Sequence, residues 1–314
     1  MGLLSGRYSV LFFLLPFLVI ILSGSVSAES GIVKTDDVVV LFDEQSGSAA
    51  REVARIYPHL KAELAANIGW DIDFRPDVVL TGDSGSLEKA AGSDLIVALA
   101  IPGKQLVVLD ISRVYAKPFT LRTTLKHELC HLFLHHGIEP ENLPRWLDEG
   151  VCQWMSDGIA EIATGNDDKI LRQALLSERL FSMNQLRRFP GEKNALLLAY
   201  AQSKSYVEYI FRKYGESGVF TILKYLSEGD TPEYAIKRSL SVDSDELEKG
   251  WHLHLRRKYT AFSYIGQNLP IILFVFAALI TVYGFMRMLI KKRAYRDKDE
   301  GFYERPDDEE RKNF

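Results

Sequence analysis

"TLKHELCHLF", residues 124–133, decides how the rest of the chain is read. Two histidines, His127 and His131, stand four apart, the spacing that stacks side chains one turn apart on one face of a helix. Imidazoles so placed can ligate one tetrahedral zinc ion, each at about 2.1 Å. Glu128 is turned about 100° around the helix axis. From there its carboxylate reaches a metal-bound water rather than the metal, which suits a general base. A chance H-E-x-x-H is expected in about one chain in a hundred of this length, from average residue usage. The motif therefore needs a further ligand. Without one, the plainer reading is an amphipathic helix with two polar core histidines.

The third ligand follows. "LPRWLDEGVCQWM", 143–155, starts a helix at Pro144, a residue favoured at the first helical position. Glu149 comes after His131 with seventeen residues between, room for a short turn and an antiparallel return. Its carboxylate completes a His₂Glu set that leaves one position for water. Asp148, its neighbour, is expected to be dispensable for metal binding.

Taken together, "HELCH" and "RWLDEG" resemble the gluzincin metallopeptidases, and their exported peptidase MA-like domains in particular. They are also similar to the aminopeptidase N-like enzymes, whose second motif reads W-L-N-E-G. The resemblance covers residues from about 95 to 255. It implies a zincin-like α+β fold, Zn2+ held by His127, His131 and Glu149, Glu128 as catalytic base, and a peptide or protein substrate. "LAYAQSKSYVEYIFRKYG", 198–215, resembles the Y-x-Q-S segment of the same domains. Tyr200 would then donate its hydroxyl to the oxyanion at the scissile carbonyl. Tyr200, Val207, Phe211 and Tyr214 also share one helical face, a stripe that serves core packing equally well. Both readings stay open.

Gln153 stands four residues after Glu149, where thermolysin-like members carry an aspartate that orients a zinc-binding histidine. An amide oxygen can accept that bond, though it raises the basicity of the histidine less. His135 and His136 are expected to face solvent or to sit behind the ligands. In the family a strand before the metal helix commonly pairs with extended substrate, and "QLVVLDIS", 105–112, is the expected edge. The chain lacks a G-x-M-E-N-like segment of the kind that captures a free amino terminus, which favours cleavage inside a chain.

The 314 residues, 47% hydrophobic and 25% charged, carry a formal net charge of −4. That balance offers no basic footprint for nucleic acid, so that class is set aside. Residues 1–28 read as a signal peptide: Arg7, an apolar run from Val10 to Leu22, then small residues with Val26 and Ala28 at the cleavage positions. An uncleaved anchor is the alternative. A second apolar run, Leu269 to Ile290, has 22 residues with Arg287 as its one charge. About 20 apolar residues suffice to cross a bilayer core as a helix, so 269–290 reads as a transmembrane helix. Lys291, Lys292, Arg293, Arg296 and Lys298 follow it, while Arg256, Arg257 and Lys258 precede it. The basic excess and the export signal together place 29–263 outside the cytoplasm, periplasmic or extracellular, and 291–314 as a cytosolic tail, unstructured from Asp297 onward.

Within 29–263, apolar runs predict strands at 36–43, 75–82, 94–101 and 105–112, the last two joined as a hairpin through "PGK". A helical stretch lies between the first two. From Pro118 the pattern predicts helices near 119–136, 144–157, 168–177, 194–214, 216–227, 232–240 and 244–259, then a loop tether at 260–268. The expected architecture is a small N-terminal mixed-sheet lobe, a helical C-terminal lobe, and a C-terminal transmembrane helix. Cys130 neighbours His131, and Cys152 lies one turn beyond Glu149. Helices that share a metal must face each other, so the two thiols either bridge in an oxidising compartment or pack as small apolar groups. The expected function is zinc-dependent hydrolysis of peptide bonds at a membrane. The alternative is a non-catalytic, zinc-stabilised membrane scaffold that binds peptides in the cleft.

Overall fold

A computed structural model describes residues 30–91, 94–156 and 167–303. The expected signal peptide and the end of the tail lie outside the described residues. The chain forms two compact units, one up to His252 and one from Leu253.

The first unit opens with a five-stranded sheet: β1 (Ser30–Lys34), β2 (Val39–Asp43), β3 (Asp77–Thr81), β4 (Ala98–Ile101) and β5 (Leu106–Asp110), in the order β1-β2-β3-β5-β4. The three central strands run parallel, and β1 and β4 are antiparallel at the two edges. Helix α1 (Gly47–Ile68) buries Val53, Ile56, Tyr57, Leu60, Leu64 and Ile68, a stripe at helical spacing. It stops at Gly69, whose φ of 96° only glycine adopts without strain. A short helix, α2 (Ser84–Ala91), follows β3.

β5 is not the edge expected from the sequence. The turn at Pro102–Lys104 folds β4 back onto it, pairing Leu99 with Val108, and β3 takes its other side. The hairpin thus uses up the hydrogen-bonding edge that an extended peptide would need. Of the two hairpin strands it is β4 that keeps an open side, at the opposite edge of the sheet from β1.

The helical body comprises α3 (Leu121–Gly137), α4 (Arg145–Met155), α5 (Asp167–Leu176), α6 (Lys193–Tyr214), α7 (Glu216–Ser227), α8 (Pro232–Leu240) and the start of α9 (Ser244–Tyr303). Pro144 caps α4 rather than opening it. Asp243 accepts from the Glu246 amide at 2.8 Å and so starts α9. Trp251 on α9 stacks on Tyr206 of α6, centroids 3.9 Å apart, and donates its indole N–H to Ser205 at 3.0 Å.

One contact fixes the depth of α4. A Cβ at Gly150 would lie 2.5 Å from the Ser203 carbonyl oxygen and 2.5 Å from Val207 Cγ2 on α6. The two backbones touch, and no side chain fits. Gly150→Ala should therefore destabilise the fold by about 1–3 kcal/mol, the usual cost of overpacking. A melting transition unchanged from wild type would show that α4 and α6 can part.

In the second unit α9 carries Leu269–Lys292, 24 residues long and apolar enough to cross a membrane, with no residue of its apolar window buried. At 1.5 Å per residue the segment is about 36 Å long, against a hydrocarbon core of about 30 Å. The loop expected at 260–268 and part of the tail expected to lack structure are helical instead, through Tyr303. Extending a formed helix costs far less than starting one. Gly266 lowers its propensity by only about 1 kcal/mol, and Pro270 forfeits a hydrogen bond without ending it.

Candidate metal centre

α3 runs through the interior. Every residue from Thr124 to Leu134 is buried, so His127, Glu128 and His131 are core residues despite their polarity. The Thr120 hydroxyl accepts from the Thr123 amide at 3.1 Å, and the Thr123 hydroxyl accepts from the Thr120 amide at 3.3 Å. This reciprocal cap sets where the helix starts and hence where the histidines point. At its far end the Trp70 indole donates to the Phe133 carbonyl at 2.9 Å.

His127 Nε2 and His131 Nε2 lie 3.2 Å apart, and Glu149 Oε2 is 3.6 Å from the first and 3.7 Å from the second. A tetrahedral ion with ligands at about 2.1 Å spaces them about 3.4 Å apart. Glu149 is fully buried, and its Oε2 has no hydrogen-bond partner among the described residues. An orphaned buried carboxylate oxygen is costly unless something positive meets it. These three donors fit zinc.

The remaining atoms of the three side chains are tied down. Arg145 Nη2 holds Glu149 Oε1 at 2.5 Å. His131 Nδ1 donates to Asp148 Oδ1 at 2.6 Å, and Asp148 Oδ2 meets His135 Nε2 at 3.1 Å. The Ser156 hydroxyl donates to the Cys152 carbonyl at 2.7 Å, which leaves its lone pair to accept from His127 Nδ1 at 3.3 Å. Both histidines thus carry their outer N–H toward the protein and turn Nε2 inward.

Gln153 does not take the role expected of it. Its amide donates to the Tyr200 carbonyl at 3.5 Å, and Asp148 and Ser156 meet the histidines instead. Nor is Asp148 a bystander: it is 2% exposed and hydrogen-bonded to His131. The missed residues had a signal. Arg145, Asp148 and Glu149 are i, i+3 and i+4, so all three charges lie on one face of α4. Asp148→Asn should weaken zinc binding by about 10–100-fold, the usual cost of losing a ligand's outer partner. Competition against a chromophoric chelator measures it, and unchanged affinity would mean that the contact orients nothing.

Tyr200 is buried, with its hydroxyl 3.5 Å from Glu149 Oε1 and its ring edge-on to Phe189. It therefore stands beside the centre and also packs in a small apolar cluster with Ile96. His136 pairs with Asp73 at 3.5 Å and belongs to neither cluster of candidate donors. Cys130 and Cys152 are joined as a disulfide, Cα atoms 5.4 Å apart, which links α3 to α4.

Electrostatics also favour a cation. Burial alone would discourage a charged His131, but the carboxylates of Asp148, Glu149 and Glu128 outweigh it and raise its pKa to about 10. Burial likewise opposes ionisation of Glu149, yet Arg145 and then the histidines hold its carboxyl below the ordinary range. Without a metal, His131 keeps an extra proton that zinc must displace. Zinc affinity should accordingly fall about tenfold for each pH unit below about 10 from this one proton. A pH-independent affinity would show that His131 is not a ligand.

A mixed sheet beside a helical body, with H-E-x-x-H on one buried helix and a carboxylate on the next, defines a zincin-like domain. The Peptidase MA superfamily profile matches residues 97–257, and the chain belongs to that superfamily. Among solved structures, an M1 zinc metallopeptidase from Deinococcus radiodurans, crystallised as a point mutant, aligns at 12% identity with a TM-score of 0.38. The alignment covers 72% of this chain and 51% of that one, so the chain spans about half of its length. A search of curated proteins gives no match.

Proposed function

We propose that this chain is a membrane-anchored zinc metallopeptidase that hydrolyses peptide bonds outside the cytoplasm, within chains rather than at their ends. The observation that carries the reading is the Glu149 oxygen: buried, without a hydrogen-bond partner among the described residues, and aimed at two imidazole nitrogens. His127, His131 and Glu149 would hold the ion. Bound zinc supplies Lewis acidity toward water and the scissile carbonyl. Glu128 is buried, and its charge reaches His131. It takes a proton from the attacking water and gives it to the leaving nitrogen, so that one water and one amide become an acid and an amine. Tyr200 donates to the oxygen that gains charge in the transition state. The open side of β4 supports pairing with an extended substrate.

The apolar helix Leu269–Lys292 would be the anchor, and the basic residues behind it favour a cytosolic C-terminus. The test is cleavage of an unfolded protein by the full chain in detergent, with and without a chelator. Chelator-sensitive cleavage restored by zinc is expected. Peptide binding with zinc bound but no cleavage would favour the scaffold.

A further inference from the structure

The disulfide occupies an atom with another use. Cys152 Sγ, His131 and Asp148 form a second buried group, distinct from the His127–His131–Glu149 set, whose ligand atoms all lie within 4.8 Å of one another. Imidazole, carboxylate and thiolate together suit a borderline or soft divalent ion, and thiolate binds zinc or cadmium more tightly than carboxylate does. A sulfur bonded to Cys130 has no thiolate to offer.

We propose that the Cys130–Cys152 disulfide withholds a second metal site, built from His131, Asp148 and Cys152, which opens when the bond is reduced and competes with the first for His131. A neutral imidazole has one lone pair, since its other nitrogen carries the proton. With Nδ1–H given to Asp148 at 2.6 Å, Nε2 is the nitrogen that faces the first set and would serve it once zinc has displaced the extra proton. An ion taken between Asp148 and Cys152 claims Nδ1, the proton moves to Nε2, and His131 leaves the first set. The two sites exclude each other through one ring, and the redox state of two sulfurs selects between them.

A trialkylphosphine opens the bond with one water: phosphorus takes the oxygen as phosphine oxide, and the two protons of water go to the two sulfurs. The metal ion then displaces the proton from Cys152. Cadmium is the probe, because its bond to thiolate absorbs in the ultraviolet. The oxidised full chain in detergent should show no thiolate–cadmium band. The phosphine-reduced chain and the oxidation-proof Cys130→Ala variant should show one, saturating at a single ion per chain. Cys152→Ala should not. Asp148→Asn in the reduced chain should weaken cadmium about tenfold or more.

Absence of the band in folded Cys130→Ala, or an equal band in Cys152→Ala, overturns the assignment. Should Cys130→Ala unfold, the reduced chain carries the comparison. A band there that survives Asp148→Asn unchanged also overturns it, since that ion does not use Asp148. The cadmium result is independent of peptide hydrolysis. The accompanying loss of zinc-dependent cleavage on reduction rests on the function proposed above, so failure of that function alone leaves the absorbance result standing.

Discussion

Glu149→Ala should strip the chain of zinc and of hydrolysis together. Two histidines would remain, and the loss should exceed the 10–100-fold that removal of an outer partner costs. The substitution also leaves the Arg145 guanidinium without its 2.5 Å partner. Glu149→Gln, which keeps the shape of the side chain, serves beside it where stability falls. Glu149→Asp should fail as well, because an arm shorter by about 1.5 Å withdraws the oxygen from an ion that takes it near 2.1 Å. Asp148 is unfit as a control, being bonded to His131. The exposed Glu139, in the turn that leads from α3 to α4, serves instead. Equal zinc content in wild type, Glu149→Ala and Glu139→Ala would reduce the two histidines to core residues of a buried helix.

Glu128→Gln should do the opposite: zinc retained, hydrolysis lost by about 10²–10⁴-fold, the range for a positioned acid–base group. Glu128 is fully buried on α3, yet the compact triangle of donor atoms is formed by the two histidines and Glu149. Metal content and turnover should therefore separate in this variant and fall together in Glu149→Ala. Loss of zinc in Glu128→Gln would make Glu128 a ligand. Undiminished cleavage would remove it from the mechanism.

The ligand pattern was legible in the sequence because its rules are local. A spacing of four from one histidine to the next is a property of one helix, and the E-G pair sits on the next. The outer partners were not, because they depend on how α4 is rotated against α3, and that rotation is set by Gly150 meeting the backbone of α6. Asp148 and Gln153 lie at different angles around α4, and only that rotation decides which one meets His131. The fold divides the same way. Runs of apolar residues located four of the five strands and the helices after Pro118, whereas the strand order that places β4 at the edge is a tertiary fact. The tether was misread because Gly266 and Asn268 just ahead of Pro270 resemble a loop even when helix flanks them on both sides.

The disulfide and the Gly150 contact together bear on how long an ion would stay. α4 is bonded to α3 through Cys152 and pressed against α6 at Gly150, so Glu149 rides on a strut gripped from two sides. Most carboxylate ligands release by swinging aside, a motion of one side chain. Here Arg145 holds the other oxygen of the same carboxylate, and the helix behind it has little freedom to retreat. Dissociation must then wait for a rarer opening of several elements at once. The rate at which an ion leaves is then what this architecture would slow, so that a chelator should strip the site gradually rather than at once.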